Sequence, residues 1–429
     1  MSKELSVPVV SLLARALQRV RSTPPRVIAS PPTQPRRAAV ALIIRVVPSP
    51  NTSLPSQQTN PPTLAEFFDL DWVKDPASRP EILFLHRENG QLDVASTSHV
   101  NPRDAKEAQA AFPGGRMEPD DEGCLYTAMR QTWEEIGIDL AEREYMLVGQ
   151  LDDREITTSL GKRLLMILSP YVFLQLSPHA PPPDPIPTTS LHWTPLSSLV
   201  SPDSPPKWSS VTVDAASRLV SKHSPALRFL IQILIGSMEF PAILLEASTS
   251  LSYRTKQTST HDVLEKGINQ KAYPKQLKLW GLSLGMTLDL MSYMIYPPPP
   301  PNQPVYTPNR ASPPSSPLTP VMQLPYQNVV EDLRVDLVAP SLASVFPRFS
   351  YPDVNFWIWV FGKRYREVIR GWEASLRAGG VNDRRINWSG TALSTFYAAI
   401  RKALVVVIVA RALGIVFGLA IAGWWIFWQ

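Results

Sequence analysis

The chain has 429 residues, and its 45 prolines make up about one residue in ten, roughly twice the ordinary share, which excludes one compact domain over the whole length. The hydrophobic content of 44% is still enough for a sizeable core. The single cysteine, Cys124, excludes a disulfide scaffold or a cysteine-based zinc cluster, and it favours a reducing compartment. The net charge of +5 is small, and nine Lys or Arg against three Asp or Glu fall in residues 363 to 402, so the basic excess is local and does not indicate nucleic-acid binding.

The first predicted element is a helix over residues 8 to 21. Leu13 and Leu17 share one face, arginines occupy the rest, and Pro8 suits a first turn. A mitochondrial presequence has this pattern, and so does an ordinary first helix packed on a domain. We favour the packed helix, and assign residues 1 to 35 to an N-terminal helix and linker.

Strand and helix signals alternate in the next part of the chain. Three runs rich in aliphatic and β-branched residues predict strands, at 38 to 47, 81 to 87 and 164 to 174. Residues 122 to 136 repeat apolar side chains at helical spacing, and Gly137 is typical of the position that ends a helix. Strands around a glycine loop and an acidic helix predict an α+β layered domain. Proline-rich or polar composition predicts surface loops at 48 to 66, 177 to 190 and 246 to 270.

The residues that suggest chemistry lie in that loop and helix. Because helical residues three and four apart are neighbours, Gln131, Glu134 and Glu135 can point into one cleft, while Glu122 enters from the helix start. Hard oxygen ligands of this kind suit Mg²⁺ or Mn²⁺, which in turn can bridge a diphosphate. The alternative is an acidic helix face that is simply solvated.

These residues resemble the motif of the Nudix hydrolase family. The usual box runs Gly, five residues, Glu, seven residues, then Arg-Glu-aliphatic-any-Glu-Glu-any-Gly-aliphatic, and the chain keeps Gly115, Glu122, Arg130, Glu134, Glu135, Gly137 and Ile138. It departs in two places, because six residues separate Gly115 from Glu122 and Gln131 stands where the first Glu of the Arg-Glu pair is expected. The longer spacing and the step Glu118-Pro119-x-Asp121 are similar to the coenzyme A diphosphatase branch.

The resemblance covers about residues 36 to 290 and implies a Nudix-type α/β/α sandwich with loop insertions. It implies a metal-dependent hydrolase of a nucleoside diphosphate linked to another moiety, with coenzyme A or an acyl-CoA as the favoured small-molecule substrate. ADP-ribose or a dinucleotide polyphosphate is the fallback substrate. The implied metal ligands for Mg²⁺ or Mn²⁺ are Glu134, Glu135 and Glu122; the implied catalytic residues are Glu122, Glu118, Arg130 and Gln131; the implied substrate contacts are Gly114, Gly115 and Arg116.

The substituted position in the box leaves a second function open. A glutamine at 131 can still ligate through its carbonyl oxygen, but it cannot remove a proton and carries no charge. The alternative function is therefore a catalytically weak or inactive Nudix-fold nucleotide-binding protein tethered to a membrane.

Composition divides the chain beyond residue 290. Residues 291 to 327 contain five consecutive prolines and predict a disordered linker in extended polyproline II conformation. Residues 328 to 402 contain apolar aromatic stretches and a basic helical pattern, which predict a membrane-proximal basic helical region.

Residues 403 to 428 predict a single transmembrane helix. Their only charge is Arg411, and at about 1.5 Å per residue they reach about 39 Å, more than the about 30 Å of a hydrocarbon core. A buried helix of a soluble domain is the alternative, but this segment has no polar face. We expect Arg411 to reach back toward the headgroups and Trp424, Trp425 and Trp428 to form an aromatic belt at the far end.

One residue follows this segment, so we expect a tail anchor. The basic residues before it predict, by the positive-inside preference, that the bulk of the protein faces the cytosol. The organelle stays open among the peroxisomal, mitochondrial outer and endoplasmic reticulum membranes. Gly414 and Gly418 have the GxxxG spacing of a helix-pairing face, which makes a homodimer a candidate.

Overall fold

The structure is a computed structural model, and it describes residues 8–31, 36–50, 52, 60–88, 109–157, 164–200, 206–216, 224–246, 276–294, 346–364, 366–367 and 391–428. The helices of this part of the chain are α1 (Val9–Ser22), α2 (Leu64–Asp69), α3 (Asp71–Lys74), α4 (Cys124–Ile136), α5 (Ser197–Val200), α6 (Pro225–Ile235), α7 (Gly281–Ser292), α8 (Pro352–Phe361) and α9 (Thr391–Trp428). Its strands are β1 (Arg37–Val47), β2 (Arg79–Arg87), β3 (Gly114–Arg116), β4 (Tyr145–Gln150), β5 (Arg154–Thr157), β6 (Leu164–Gln175), β7 (Thr189–Pro195), β8 (Lys207–Asp214), β9 (Ser237–Glu246), β10 (Gln276–Trp280) and β11 (Arg348–Phe349). Most of the predicted linker at 291 to 327, most of the predicted loop at 246 to 270 and much of 328 to 402 lie outside the described residues.

A seven-stranded mixed sheet carries the first core. Its strand order is β4-β6-β1-β2-β7, with β3 paired to β1 and β5 paired to β6. Strands β1 and β6 are parallel, and the other pairs in this sheet are antiparallel. Because successive strand residues point to opposite faces, Ile43 packs toward α4 while Ile44 packs toward α1, α2, α3 and α7. Helices therefore cover both faces, which confirms the predicted Nudix-type sandwich.

The elements predicted from the strongest patterns are confirmed. Strands β1, β2 and β6 match the three aliphatic runs to within two residues. Helix α4 starts two residues later than predicted and ends at Gly137, whose φ of 66° is the left-handed conformation that favours glycine. Helix α1 packs on the sheet through Leu13, Ala16 and Leu17, which are fully buried. This is the arrangement expected of an ordinary first helix.

A second, four-stranded sheet was not predicted. Strand β9 is at its centre, with β8 on one edge and with β10 and β11 paired to the other. One face of β9 joins the first core through Ile243 and Leu245. The other face, with Phe240 and Ala242, forms a second core together with α6, α8 and α9. The second sheet thus lies between the two cores.

Helix α9 is the one helix of the described residues that is long and apolar enough to span a membrane, over Ser394–Trp428. Its first part belongs to the second core, because Phe396, Ile400, Leu404 and Val407 are buried there. Beyond that point nearly every side chain is exposed. The predicted span at 403 to 428 therefore begins inside the protein core.

Candidate active site

The glycine loop packs closely against two neighbours. Gly114 has φ 144°, and a Cβ added there would lie 2.3 Å from the carbonyl oxygen of Ala39 in β1. A Cβ added to Gly115 would lie 2.2 Å from Oε1 of Gln131 in α4. Both distances are far below van der Waals contact, so the loop backbone is held between the sheet and the helix only because both residues are glycine.

Arg130 is the centre of an acidic cluster at the start of α4. Its Nε and Nη2 donate to the two carboxylate oxygens of Asp121 at 2.7 and 2.8 Å. Its Nη1 donates to both oxygens of Glu134, at 3.0 and 3.1 Å, and to Glu118 Oε1 at 3.2 Å. The Arg130 side chain is 15% exposed, so one half-buried guanidinium is shared among three carboxylates.

Asp121 is the buried acid of this cluster. Its side chain is 2% exposed, and it also accepts hydrogen bonds from the Thr127 hydroxyl and the Glu118 backbone N–H. The Arg130 hydrogen bond, with help from these two donors, lowers the pKa of Asp121 from 3.8 to about 2, although burial acts in the opposite direction. The same ion pair raises the pKa of Arg130. Both groups are therefore charged throughout the physiological range.

The structure places Asp121, rather than Glu122, against Arg130. Five residues separate Gly115 from Asp121, which is the spacing of the usual box, whereas Glu122 is exposed. The turn before α4 explains the difference, because Asp121 points inward to Thr127 while the next residue points to solvent. The other spacing of the usual box, seven residues before the arginine, selects Glu122 instead.

Glu135 lies on a different side of α4 from Glu134. Arg87, the last residue of β2, holds its carboxylate with Nε and Nη2, at 2.5 and 2.7 Å. The Thr189 hydroxyl lies 3.4 Å from Glu135 Oε1, and Arg87 Nη2 also donates to the Phe112 carbonyl at 3.3 Å. This half-buried ion pair joins β2, β7, α4 and the glycine loop. Sequence reasoning did not select Arg87; its position at the end of the strand before the box was the available signal.

Two further predicted residues lie beside the cluster. Gln131 donates from Nε2 to Glu134 Oε2 at 3.1 Å, and its Oε1 lies against Gly115. The substituted residue is therefore oriented by the cluster and the glycine loop together. Arg116 ends β3 and is exposed, two residues before Glu118.

The carboxylates of the Arg130 cluster and of Glu135 are each paired with an arginine. In the part of the chain that the structure describes, no group of three or more His, Cys, Asp or Glu side chains is placed to hold a metal ion. The predicted trio of Glu122, Glu134 and Glu135 is not assembled, because Arg130 and Arg87 hold the two adjacent glutamates on different sides of the helix. Oxygen donors suit a hard cation chemically, but this arrangement satisfies them with arginine.

The geometry agrees with a comparison against known families. Residues 79–212, which include β2, the glycine loop and α4, match the family model described as the NUDIX domain. This segment is a Nudix domain. The Arg130 cluster and the Arg87 ion pair both lie within it.

Relatives of this Nudix domain are distant. A Schizosaccharomyces pombe protein described as uncharacterized is 30% identical over 241 residues, which are 56% of this chain and 64% of the relative. The mitochondrial coenzyme A diphosphatase NUDT8 of Mus musculus is 37% identical over 51 residues, 12% of this chain and 24% of that protein. The chain thus spans less than two thirds of either relative. A solved structure, the NUDIX domain of Shewanella oneidensis NrtR complexed with ADP ribose, is 15% identical, covers 38% of this chain and 74% of that chain, and has a TM-score of 0.22.

Proposed function

We propose that this Nudix domain hydrolyses a nucleoside diphosphate linked to another moiety, and that coenzyme A or an acyl-CoA is the substrate. The observation that carries the proposal is the cluster of Arg130 with Asp121, Glu118 and Glu134 beside the glycine loop. A Nudix domain supports hydrolysis of nucleoside diphosphate derivatives in general. The choice of coenzyme A is supported by the short similarity to a coenzyme A diphosphatase and by the step Glu118-Pro119-x-Asp121.

Each residue of the site can take one role in such a hydrolysis. Asp121 fixes Arg130, so the guanidinium and the carboxylates around it keep one geometry. Glu118 is 61% exposed, the most open acid of the cluster, and a carboxylate there can accept a proton from the attacking water. The exposed Arg116 supplies a cation for a substrate phosphate. Water adds across the phosphoanhydride, giving adenosine 3′,5′-bisphosphate and a 4′-phosphopantetheine product.

A divalent ion is part of the proposal, since Nudix hydrolases generally use one. Mg²⁺ or Mn²⁺ bound by Glu134 or Glu135 would compete with Arg130 or Arg87 for the carboxylate oxygens that each arginine now holds. Binding of the ion should therefore depend on how firmly each arginine is held. Asp121 retains Arg130 through two hydrogen bonds that do not involve Glu134.

One observation favours the second candidate function, a nucleotide-binding protein with little or no turnover. The amide of Gln131 donates to Glu134, in the position where the family motif has a carboxylate. A neutral donor there lowers the negative charge of the cluster and removes one candidate base.

We also propose that α9 anchors the protein in a membrane with the bulk on the cytosolic side. Its exposed apolar side chains beyond Val407 and the basic residues Arg401 and Lys402 near its start support this placement. The peroxisomal, mitochondrial outer and endoplasmic reticulum membranes all fit these features. Pairing of two copies through Gly414 and Gly418 stays a prediction.

The deciding experiment uses the full chain in detergent. The protein is incubated with coenzyme A, an acyl-CoA, ADP-ribose and a dinucleotide polyphosphate, each with Mg²⁺ or Mn²⁺ and with neither, and products are identified by mass. We expect cleavage of coenzyme A and the acyl-CoA, and only when the divalent ion is present. Cleavage should be lost in Glu134→Gln and kept in Glu142→Gln, a control that removes the same charge at an exposed position. Nucleotide binding without products, in this chain and in Gln131→Glu, would instead support the second candidate function.

A further inference from the structure

Two helices of the second core present large apolar side chains to solvent. We call this set the apolar platform, and it consists of Leu227, Phe229, Leu230 and Ile233 of α6 and Phe356, Trp359 and Val360 of α8, which are 37 to 65% exposed. In α6, Leu227, Phe229, Leu230 and Ile233 are exposed, and no acidic residue lies in its sequence. The exposed side chains of each helix are three or four residues apart, so they form an apolar face on that helix. An exposed apolar face of this kind marks a contact with another molecule or with lipid.

The platform is joined to α9 at Arg411. The Arg411 guanidinium donates through Nη2 to both carboxylate oxygens of Asp353, at 2.7 and 2.6 Å, and through Nη1 to the Leu234 carbonyl at 2.5 Å. It also lies over the Tyr351 ring, 4.3 Å from its centre. Because Leu234 is near the end of α6 and Asp353 is near the start of α8, all three helices meet at this residue.

The tryptophans at the end of α9 indicate how deep Arg411 would lie in a bilayer. Trp424, Trp425 and Trp428 are exposed, and such residues sit where a bilayer meets water. A hydrocarbon core of about 30 Å takes about 20 helical residues. Counting back from the tryptophans places the other boundary at about residues 404 to 408. Burial of α9 against the second core stops at the same place, with Leu404 and Val407.

We infer that the apolar platform lies in the membrane surface, so that the bilayer contacts α6 and α8 as well as α9. The inference depends on the proposed anchoring by α9, and it adds a second membrane-contacting surface to it. Trp359 is suited to the headgroup region, and the exposed Lys363 and Arg364 directly after α8 are suited to anionic lipid. Asp353 neutralises Arg411, which lies about three to seven residues inside that boundary, where an unpaired cation would be unfavourable.

The arrangement fixes how the protein meets the bilayer. A single spanning helix would leave the domain free to tilt about it. Contacts of α6 and α8 with the bilayer beside the span would limit this tilt. Lipid is the occupant that fits best, since α6 and α8 meet α9 at Arg411, and the neighbouring apolar side chains of α9, Val405, Val409 and Leu413, are exposed as well.

The test measures the depth of single positions in the full chain. In a Cys124→Ser background, cysteines are introduced one at a time by Phe229→Cys, Phe356→Cys, Leu413→Cys and Val27→Cys, and each is labelled with an environment-sensitive fluorophore. Val27 is the matched control, because it is 64% exposed against 65% for Phe229 and lies away from the second core, where its neighbours Arg26 and Ile28 donate to Asp152 and Asp153. The proteins are reconstituted in vesicles of zwitterionic and anionic phospholipid that carry a nitroxide near the headgroup. Circular dichroism confirms that each variant is folded.

We expect the probes at 229 and 356 to emit at shorter wavelength and to be quenched by the nitroxide lipid, as the probe at 413 is, while the probe at 27 shows neither effect. Quenching at 413 but not at 229 and 356 would overturn the inference and leave the anchor standing. A shorter emission wavelength at 229 without lipid quenching would overturn it in favour of contact between two copies. A probe at 413 that is not quenched and that emits at the same wavelength as the probe at 27 would refute the anchoring proposal itself.

Discussion

Replacing Asp121 by asparagine should destabilise the Nudix domain by about 1 to 2 kcal/mol. The change keeps the shape of the side chain but removes the charge that pairs with Arg130. A pKa lowered from 3.8 to about 2 corresponds to at most about 2.5 kcal/mol at pH 7. We expect less than this because Arg130 remains 15% exposed and keeps Glu134 and Glu118 as partners. Thermal unfolding followed by circular dichroism should show a midpoint lower by a few degrees.

The pH dependence of this effect identifies the carboxylate. Because folding lowers the pKa of Asp121, its contribution to stability is fully present above about pH 4 and is lost as the pH falls from there toward about 2. The difference between the native chain and Asp121→Asn should therefore shrink over that interval. Asp120→Asn and Glu122→Gln, at exposed neighbouring positions, should change stability by less than about 0.5 kcal/mol. A larger loss in Glu122→Gln than in Asp121→Asn would show that the wrong acid has been placed against Arg130.

Three more predictions address the loop, the substituted residue and the span. Gly115→Ala should lower kcat, because its methyl group would overlap Oε1 of Gln131 and displace the amide from the cluster. The control Gly123→Ala should leave kcat unchanged, because no atom lies within 4 Å of a Cβ at that position. Gln131→Glu should raise kcat, by an amount that reaches about 10²-fold if a base is restored; equal kcat in an active enzyme would show that Glu118 already fills the role. Deleting residues 412 to 429 should release the protein from membranes in a carbonate extraction but leave its thermal unfolding unchanged. Deleting residues 403 to 429 should also lower the stability to unfolding, because it removes part of the second core. Equal stability of the two deletions would contradict that packing.

The central sheet could be predicted because its sequence signals are local. β1, β2 and β6 are aliphatic runs buried on both faces, and the glycine after α4 directly marks the helix end. The second sheet carries weaker signals. β8 mixes polar residues with its apolar ones, and β9 contains Pro241, so neither has the pattern of a strand when read alone. The pairing of β9 with β11 joins Glu239 to Arg348, which are far apart in sequence, and a local pattern cannot show such a pairing.

The sequence predicted which residues belong to the candidate site, but not which of them contact one another. The box motif located the glycines, the acidic helix and Arg130, because spacing on one helix fixes which residues are neighbours. Spacing could not show that Asp121 turns inward at the start of α4 while Glu122 turns out. It also gave no information about Arg87, since the ion pair with Glu135 depends on how β2 lies against the helix. A motif on one helix does not contain the residues that other strands and loops bring into the site.

The candidate active site and α9 are connected through packed protein. The sequence predicts a proline-rich linker at 291 to 327, between the predicted Nudix domain and the predicted membrane-proximal region. In the structure, β9 contributes Ile243 to the first core and Phe240 to the second, where α9 begins. The adjacent strand β10 accepts a hydrogen bond at the Lys278 carbonyl from the N–H of Ala110, four residues before Gly114. One sheet therefore contacts both the chain entering the glycine loop and the helices of the second core. Because α7 and β11, on either side of the proline-rich segment, both contact β9, the anchor proposed for α9 would hold the candidate active site close to one distance from the bilayer.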